Sequence, residues 1–358
     1  MHIKTDPDKD LRTDSKPSSS YEWWYFDAVS DDGQIAVVII FYEGIPFSPL
    51  YNEAIRKSGS QTADPENHPA VSISVYQHGK PVYYSLAEYS RDDFKYTDNP
   101  FSISIGGHRF DQFIEKDDVV YQMKLKDQLP NGDALDAELK FTGSVTDKNL
   151  LNEGEGDRHV WNLIQPMARV NGNISITGYR EYKFDLEGPG YHDHNYGAEP
   201  MKNSFTEWYW GRVHFSEAVL VYYVMNKKDN AQHRAWLIDP NNQTVITEFD
   251  NIITDEPQRT VFGLSVCRRL QFESPEIKAE LYQSRMVDNG PFYVRYLNDA
   301  VLHVPEWGIQ KKSGISEYIY PSRIDRKLFR PLINMRYRYN DSKPHWVQRS
   351  PRLYRWTW

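Results

Sequence analysis

The sequence predicts an all-β protein built as two related β-domains, and three observations carry this. Short β-branched and aromatic runs recur at even spacing, no stretch keeps apolar residues at i, i+3, i+4 and i+7, and a motif repeats halfway along the chain. The predicted strands are Gln34–Tyr42, Ala70–Tyr76, Pro81–Leu86, Phe101–Ile105, Val119–Lys124, Ala134–Phe141, Asn173–Thr177, Ala218–Met225, Ala235–Ile238 and Val245–Phe249. Turn pieces such as Asp32-Gly33, His78-Gly79-Lys80-Pro81 and Asn131-Gly132 separate them, as in a barrel or sandwich.

The repeat pairs Glu22-Trp23-Trp24 with Glu207-Trp208-Tyr209, an offset of 185 in a chain of 358 residues, and a strand follows each copy. Val75–Tyr84 and Trp236–Ile246 are a second, looser pair of strand, turn and strand. The predicted organisation is a flexible arm over 1–17, either disordered or strapped onto the fold, an N-terminal domain over 18–187 and a C-terminal domain over 188–358. Asn52–His68 reads as a polar loop, long enough to act as a lid.

Composition excludes several classes. Hydrophobic residues at 39%, charged residues at 26% and a mean hydropathy of -0.70 suit a globular chain and not a bundle of membrane helices. The longest apolar run, Ile35–Tyr42, is too short to span a bilayer, and the polar start Met1-His2-Ile3-Lys4-Thr5-Asp6 is unlike a signal peptide, so a cytoplasmic location is expected. A single cysteine, Cys267, offers neither a disulfide nor a thiolate zinc site. The net charge of -8 argues against nucleic acid as partner. That charge is uneven: Arg323–Trp358 carries ten Lys and Arg against two acids. This segment is expected either to be a final strand with snorkelling arginines or to make weak, peripheral contact with an anionic membrane.

Common catalytic signatures are absent, with no G-x-S-x-G, no Walker loop, no G-x-G-x-x-G and no H-E-x-x-H. The densest polar cluster is Gly190-Tyr191-His192-Asp193-His194-Asn195-Tyr196-Gly197. In an extended strand His192, His194 and Tyr196 face one way, and Asp193 and Asn195 the other. The pair His192 and His194 could bind a metal, but no third ligand stands near in sequence, so no metal is expected. Asp193 could instead be an acid lodged among rings, or the cluster could be a structural network. Aromatic residues at 14% supply walls for such a site, from Trp23, Trp24 and Tyr25 in one segment and from Trp208 and Trp210, which share a face with Arg212, in the other. Electron-rich rings bind a hydrocarbon and stabilise a developing cation; the alternative is that these rings plug barrel ends.

Tyr21-Glu22-Trp23-Trp24-Tyr25-Phe26-Asp27, His159-Val160-Trp161, Gly190–Gly197 and Trp208-Tyr209-Trp210-Gly211-Arg212 together resemble the carotenoid 1,2-hydratase (hydroxyneurosporene synthase) family. That family groups with AttH-like proteins and is similar to lipocalin-like pericyclases. The resemblance implies two lipocalin-like antiparallel β-barrels packed together and a hydrophobic isoprenoid or polyene substrate. It also implies no cofactor, and protonation of a terminal double bond followed by capture of water. It makes Asp193 the proton donor, with His192, His194 and Asn195 positioning it or the water. Glu22 and Glu207 are candidates for a second acid, and Trp23, Trp24, Tyr25, His159, Trp161, Tyr196, Trp208, Trp210 and Arg212 for substrate contacts. A cyclase or pericyclase using the same pocket, and a lipid or pigment carrier, are the alternative functions.

Overall fold

The structure, a computed structural model, describes residues 1–14, 16–57, 63–116, 118–156, 158–227 and 231–358. It divides into two compact units. The first comprises Met1–Met201 and Ile324–Trp358, the second Lys202–Arg323. The expected division at 187/188 falls inside a strand of the first unit, whose pairing on both edges holds it there.

The first unit contains β1 (His2–Lys4), β2 (Tyr21–Val29), β3 (Ile35–Glu43), β4 (Ala70–Gln77), β5 (Lys80–Glu88), β6 (Phe94–Asp98), β7 (Phe101–Ile105), β8 (His108–Glu115), β9 (Asp118–Gln128), β10 (Ala134–Ser144), β11 (Asn152–Glu153), β12 (Val160–Thr177) and β13 (Tyr182–Gly197). Its sheet runs β5-β4-β3-β2-β13-β12-β10-β9-β8-β7-β6. The chain thus goes out from β2 to β5, crosses to β6 and returns strand by strand until β13 closes beside β2. The second unit makes the same circuit with β14 (Glu207–His214), β15 (Val219–Asn226), β16 (Ala231–Asp239), β17 (Thr244–Glu248), β18 (Asn251–Arg259), β19 (Ser265–Glu273), β20 (Lys278–Asn289), β21 (Tyr293–Val304) and β22 (Gly308–Ile319), in the order β17-β16-β15-β14-β22-β21-β20-β19-β18. Each is a curled antiparallel sheet of the lipocalin-like kind, and the two copies of the Glu-Trp motif open the two circuits at β2 and β14.

Sequence pattern explains which strands meet water. β9 and β10 alternate apolar and polar residues, and their burial alternates with them. β2 and β3 are apolar at almost every position and are buried along their whole length, so both of their faces are covered. On the inner face, Trp24, Phe26, Ile39 and Phe41 join Ile73, Phe110, Tyr121, Leu139 and Phe141 from both ends of the sheet in one core.

The first residues are a strap and not a flexible arm. β1 pairs parallel with β12, and Ile3, Thr5 and Asp10 are buried. The Asp10 carbonyl accepts from the Trp24 indole at 3.0 Å. Arg12 grips Glu43 with two hydrogen bonds of 2.6 and 2.8 Å and reaches Glu66 at 2.7 Å, while Lys16 contacts both Glu22 and Glu43. Glu22 and Glu43 are fully buried, so these cations are what makes their burial tolerable.

Two other expectations change. Within the stretch expected to be a polar loop, Pro49–Lys57 is a helix and Pro65–Asn67 a short 3-10 turn; residues 58–62 lie outside the described residues. The basic C-terminal segment is not a final strand. It is a string of short helical turns around β23 (Tyr337–Tyr339), which pairs parallel with β5. Among the described residues no helix is long and apolar enough to cross a membrane.

Arg12→Ala strands part of a buried charge on Glu43. The expected loss is about 3 kcal/mol of unfolding free energy, read from urea midpoints. An unchanged midpoint would show that the strap does not stabilise the sheet.

Candidate active site

Gly190 and Gly197 bracket the polar cluster for reasons of space. A Cβ at Gly190 would stand 2.3 Å from Val170 and 2.9 Å from the Asp27 carbonyl, and one at Gly197 would stand 2.5 Å from the Tyr21 ring. Between them β13 lies flush against β2 and β12. The register sets Tyr191, Asp193 and Asn195 opposite Asp27, Tyr25 and Trp23 of β2, and Asn195 and Asp193 opposite Trp161 and Leu163 of β12. These side chains share the outer face of the sheet, away from the core. Just beyond Leu163 the β12–β13 ladder is interrupted by bulges around Gln165, where Pro166 supplies no N–H.

On that outer face Asp193 is buried and meets three donors. Trp161 Nε1 donates to Oδ2 at 2.8 Å, the Tyr191 hydroxyl to Oδ2 at 2.7 Å and the Asn195 amide to Oδ1 at 2.7 Å. Burial favours the neutral acid, whereas the three donors favour the carboxylate. The Tyr191 hydroxyl is pushed well above its ordinary pKa of 10 by burial and by the neighbouring Asp193. Rings extend from this point: Tyr25 meets Tyr191 edge-on at 6.1 Å, and Trp23 stacks on Tyr21 at 5.4 Å and lies 5.7 Å from His159. His159 is fixed by the Tyr21 hydroxyl at 2.9 Å.

His192 and His194 point to the inner face, away from the Asp193 carboxyl group. His192 stacks on Phe26 at 3.9 Å, donates from Nδ1 to the Tyr25 carbonyl and stands 3.3 Å from Asp10. His194 stacks on Trp24 at 4.9 Å, donates from Nδ1 to the Lys9 carbonyl at 3.1 Å and meets Glu22 at 2.7 Å through Nε2. Burial resists ionisation of Glu22, but Lys16 and His194 outweigh it and hold its pKa down at about 2. Both ring nitrogens of His194 are thus engaged within the protein, Nδ1 with the Lys9 carbonyl and Nε2 with Glu22. Among the described residues no group of three or more His, Cys, Asp or Glu is placed to hold a metal ion. Trp24 and the half-buried Tyr196 belong to this inner face as well; Tyr196 lies 5.3 Å from His194.

Glu207, Trp208, Trp210 and Arg212 lie on β14 of the second unit. Glu207 is engaged by the Tyr318 hydroxyl at 2.5 Å and by Asn226 at 3.0 Å. Trp208 packs on Phe205 and Tyr223, Trp210 is buried, and Arg212 donates to His214 at 2.6 Å. By register Trp210 faces Glu317, as Tyr25 faces Asp193 in the first unit. Glu317 is thus the counterpart of Asp193, and Arg295 binds it at 2.9 Å.

Residues 38–345 match the carotenoid hydratase CrtC family. The chain belongs to that family. A "hydroxyneurosporene dehydrogenase" of Chlorobaculum tepidum is 29% identical over 347 residues, covering 92% of this chain and 90% of that protein. An acyclic carotenoid 1,2-hydratase of Rubrivivax gelatinosus is 27% identical over 289 residues, covering 78% of this chain and 64% of that protein. Among solved structures, a Nitrosomonas europaea protein described as AttH has the same fold, with a TM-score of 0.58 at 14% identity over 88% of this chain and 96% of that one.

In this member of the carotenoid hydratase family the outer face gathers Asp193, Asn195, Trp23, Tyr25, His159 and Trp161 from the sequence-predicted set. Sequence reading assigned no role to Tyr191, although its place two residues before Asp193 puts it on the same face. It also missed Asp10, whose partners Tyr121 and His192 lie far away along the chain, and Lys16, which reaches Glu22 and Glu43.

Because Glu22 titrates near 2 in the folded protein and near 4.5 ordinarily, the folded state binds fewer protons between those values. Its contribution is complete above about pH 4.5 and fades as pH falls towards 2. Glu22→Gln is expected to lower stability at pH 7 and to flatten the acid limb of urea midpoints taken from pH 7 to pH 3. An acid limb as steep as the parent's would show that this ion cluster does not set acid stability.

Proposed function

We propose that the protein hydrates a terminal double bond of an acyclic carotenoid, with Asp193 as proton donor and no cofactor. The observation that carries the reading is a buried carboxyl held by Trp161, Tyr191 and Asn195 on a face of aromatic rings, in a chain of the carotenoid hydratase family. Protonating an isolated alkene requires an acid stronger than an ordinary carboxyl group. Donors aimed at both oxygens strengthen as negative charge develops there, and so lower the barrier to proton release. The proton goes to the less substituted carbon, and the tertiary cation forms among Trp23, Tyr25 and Tyr191, whose ring faces attract positive charge. Water then closes the reaction. The name of the Chlorobaculum relative points to dehydrogenation, but this chain lacks the G-x-G-x-x-G fingerprint of the commonest dinucleotide fold, which favours hydration.

Asp193→Asn should keep the fold and the bound carotenoid but lower turnover by about 10²–10⁴-fold, the usual contribution of a positioned acid. In water labelled with oxygen-18 the parent protein should yield a labelled tertiary alcohol. A product of unchanged mass would replace hydration by cyclisation, and full activity of the variant would remove Asp193 from the reaction.

Such a substrate resides in membrane, and the C-terminal segment offers a means of reaching it. Leu328, Trp346 and Trp356 are exposed there alongside Arg326, Lys327, Arg349 and Arg352. Arg355, by contrast, is held by Asp133. The expected result is sedimentation with anionic vesicles but not neutral ones, reversed by salt. Arg349→Ser and Arg352→Ser should each weaken it about fivefold, the equivalent of about 1 kcal/mol per basic residue. Equal binding to neutral vesicles would exclude electrostatic docking.

A further inference from the structure

Asn195 is buried, and its two polar ends differ. The amide N–H faces Asp193 Oδ1 at 2.7 Å, while its own Oδ1 is buried with no hydrogen-bond partner among the described residues. Once Asp193 has given up its proton, only the amide N–H can face Oδ1, since two acceptors would otherwise oppose each other at that distance. A buried carbonyl oxygen is normally satisfied, and one left open beside a reactive group is a place for a small donor. The strand partners of Asn195 are Trp23 and Trp161, neither of which can accept a hydrogen from water through its indole N–H.

We propose that Asn195 Oδ1 holds the water that captures the cation, so that one side chain steadies the acid through its N–H and presents the nucleophile through its oxygen. This rests on the reading of Asp193 as proton donor. The Asp193 proton bonds to the less substituted alkene carbon as the π bond breaks, which leaves a cation on the tertiary carbon. The held water forms the C–O bond there, and its surplus proton returns to the Asp193 carboxylate. One water is added, nothing is oxidised or reduced, and the acid is regenerated. Because Asp193 and Asn195 project from the same face of β13, proton and water reach the alkene from the same side.

The test separates the two halves of the reaction. The full chain is incubated with an acyclic carotenoid in heavy water, and both tertiary alcohol and deuterium in recovered alkene are measured. Deuterium reports proton transfer followed by its reversal, and alcohol reports capture. Asn195→Leu and Asn195→Val, two apolar variants of different shape, should retain exchange while the ratio of alcohol to exchange falls about 100-fold, as expected when a reactant loses its position. Melting temperature identifies which variants are folded. If alcohol and exchange fall by the same factor, Asn195 only steadies Asp193 and the proposal is overturned; a parental ratio overturns it equally. Asp193→Asn run in parallel keeps the outcomes distinct, since persistence of both signals there would sink the acid assignment instead.

Discussion

Between Gly190 and Gly197 the strand has neighbours on both edges and is largely buried, so its polar side chains, Asn195 Oδ1 excepted, must find their partners within the protein. It meets this constraint with two separate chemistries. Towards the core, His192 and His194 are tied to the strap and to Glu22, and the counter-charges arrive on Arg12 and Lys16. Towards the outer face, Asp193 is met by an indole, a phenol and an amide. The strap therefore does more than fill the end of a barrel. It anchors the inner side of the strand whose outer side presents the acid, and the inner cluster fixes the backbone on which the outer geometry depends.

The duplicated circuit shows how the outer face became specialised. Glu22 and Glu207 open the equivalent strands, and each bonds a ring group on its closing strand, His194 in one unit and Tyr318 in the other. Asp193 and Glu317 also correspond, but their neighbours across the ladder differ: Leu163 stands opposite Asp193 and Arg295 opposite Glu317. Arg295 gives Glu317 an ion-pair partner at 2.9 Å, whereas Leu163 brings no charge to Asp193. One exchange across a ladder separates a carboxyl group paired with arginine from one met by an indole, a phenol and an amide.

Much of the fold was legible because the constraints on it are local. Phe101–Ile105 forms a strand with the predicted bounds, Gln34–Tyr42 and Ala70–Tyr76 are displaced by a residue at most, and the repeated Glu-Trp segment marked the two circuits. Alternation also placed Asp193 and Asn195 opposite His192 and His194. Periodicity could not say which face would be the core, because that depends on how the sheet curls. Trp24 and Tyr196, which share the face of His192 and His194, were therefore still counted among the substrate contacts although that face is the core side. Nor could it choose between a disordered and a strapping arm: the first residues are mostly polar, and burial of Asp10, Arg12 and Lys16 makes sense only beside Glu22, Glu43 and Tyr121. The basic C-terminal segment misled for a related reason, since aromatic residues alternating with arginine read as strand while Pro351 and the Ser350 cap start a helix.

Tyr191 sharpens the assignment of roles on the outer face. It touches the same Asp193 oxygen as Trp161, and a phenol so close to a carboxyl could itself be taken for the proton source. Burial and the adjacent Asp193 raise its pKa further above 10, so giving up its proton becomes harder there than in water. Trp161 holds its N–H at all ordinary pH. Both are thus permanent donors to Oδ2, and in the proposed hydration the proton comes from Asp193 and not from Tyr191. In the proposed hydration their hydrogen bonds tighten as Asp193 becomes an anion and relax as it recovers its proton. The site can then offer a stronger acid without storing a charge between turnovers, which suits an apolar substrate that must enter beside it.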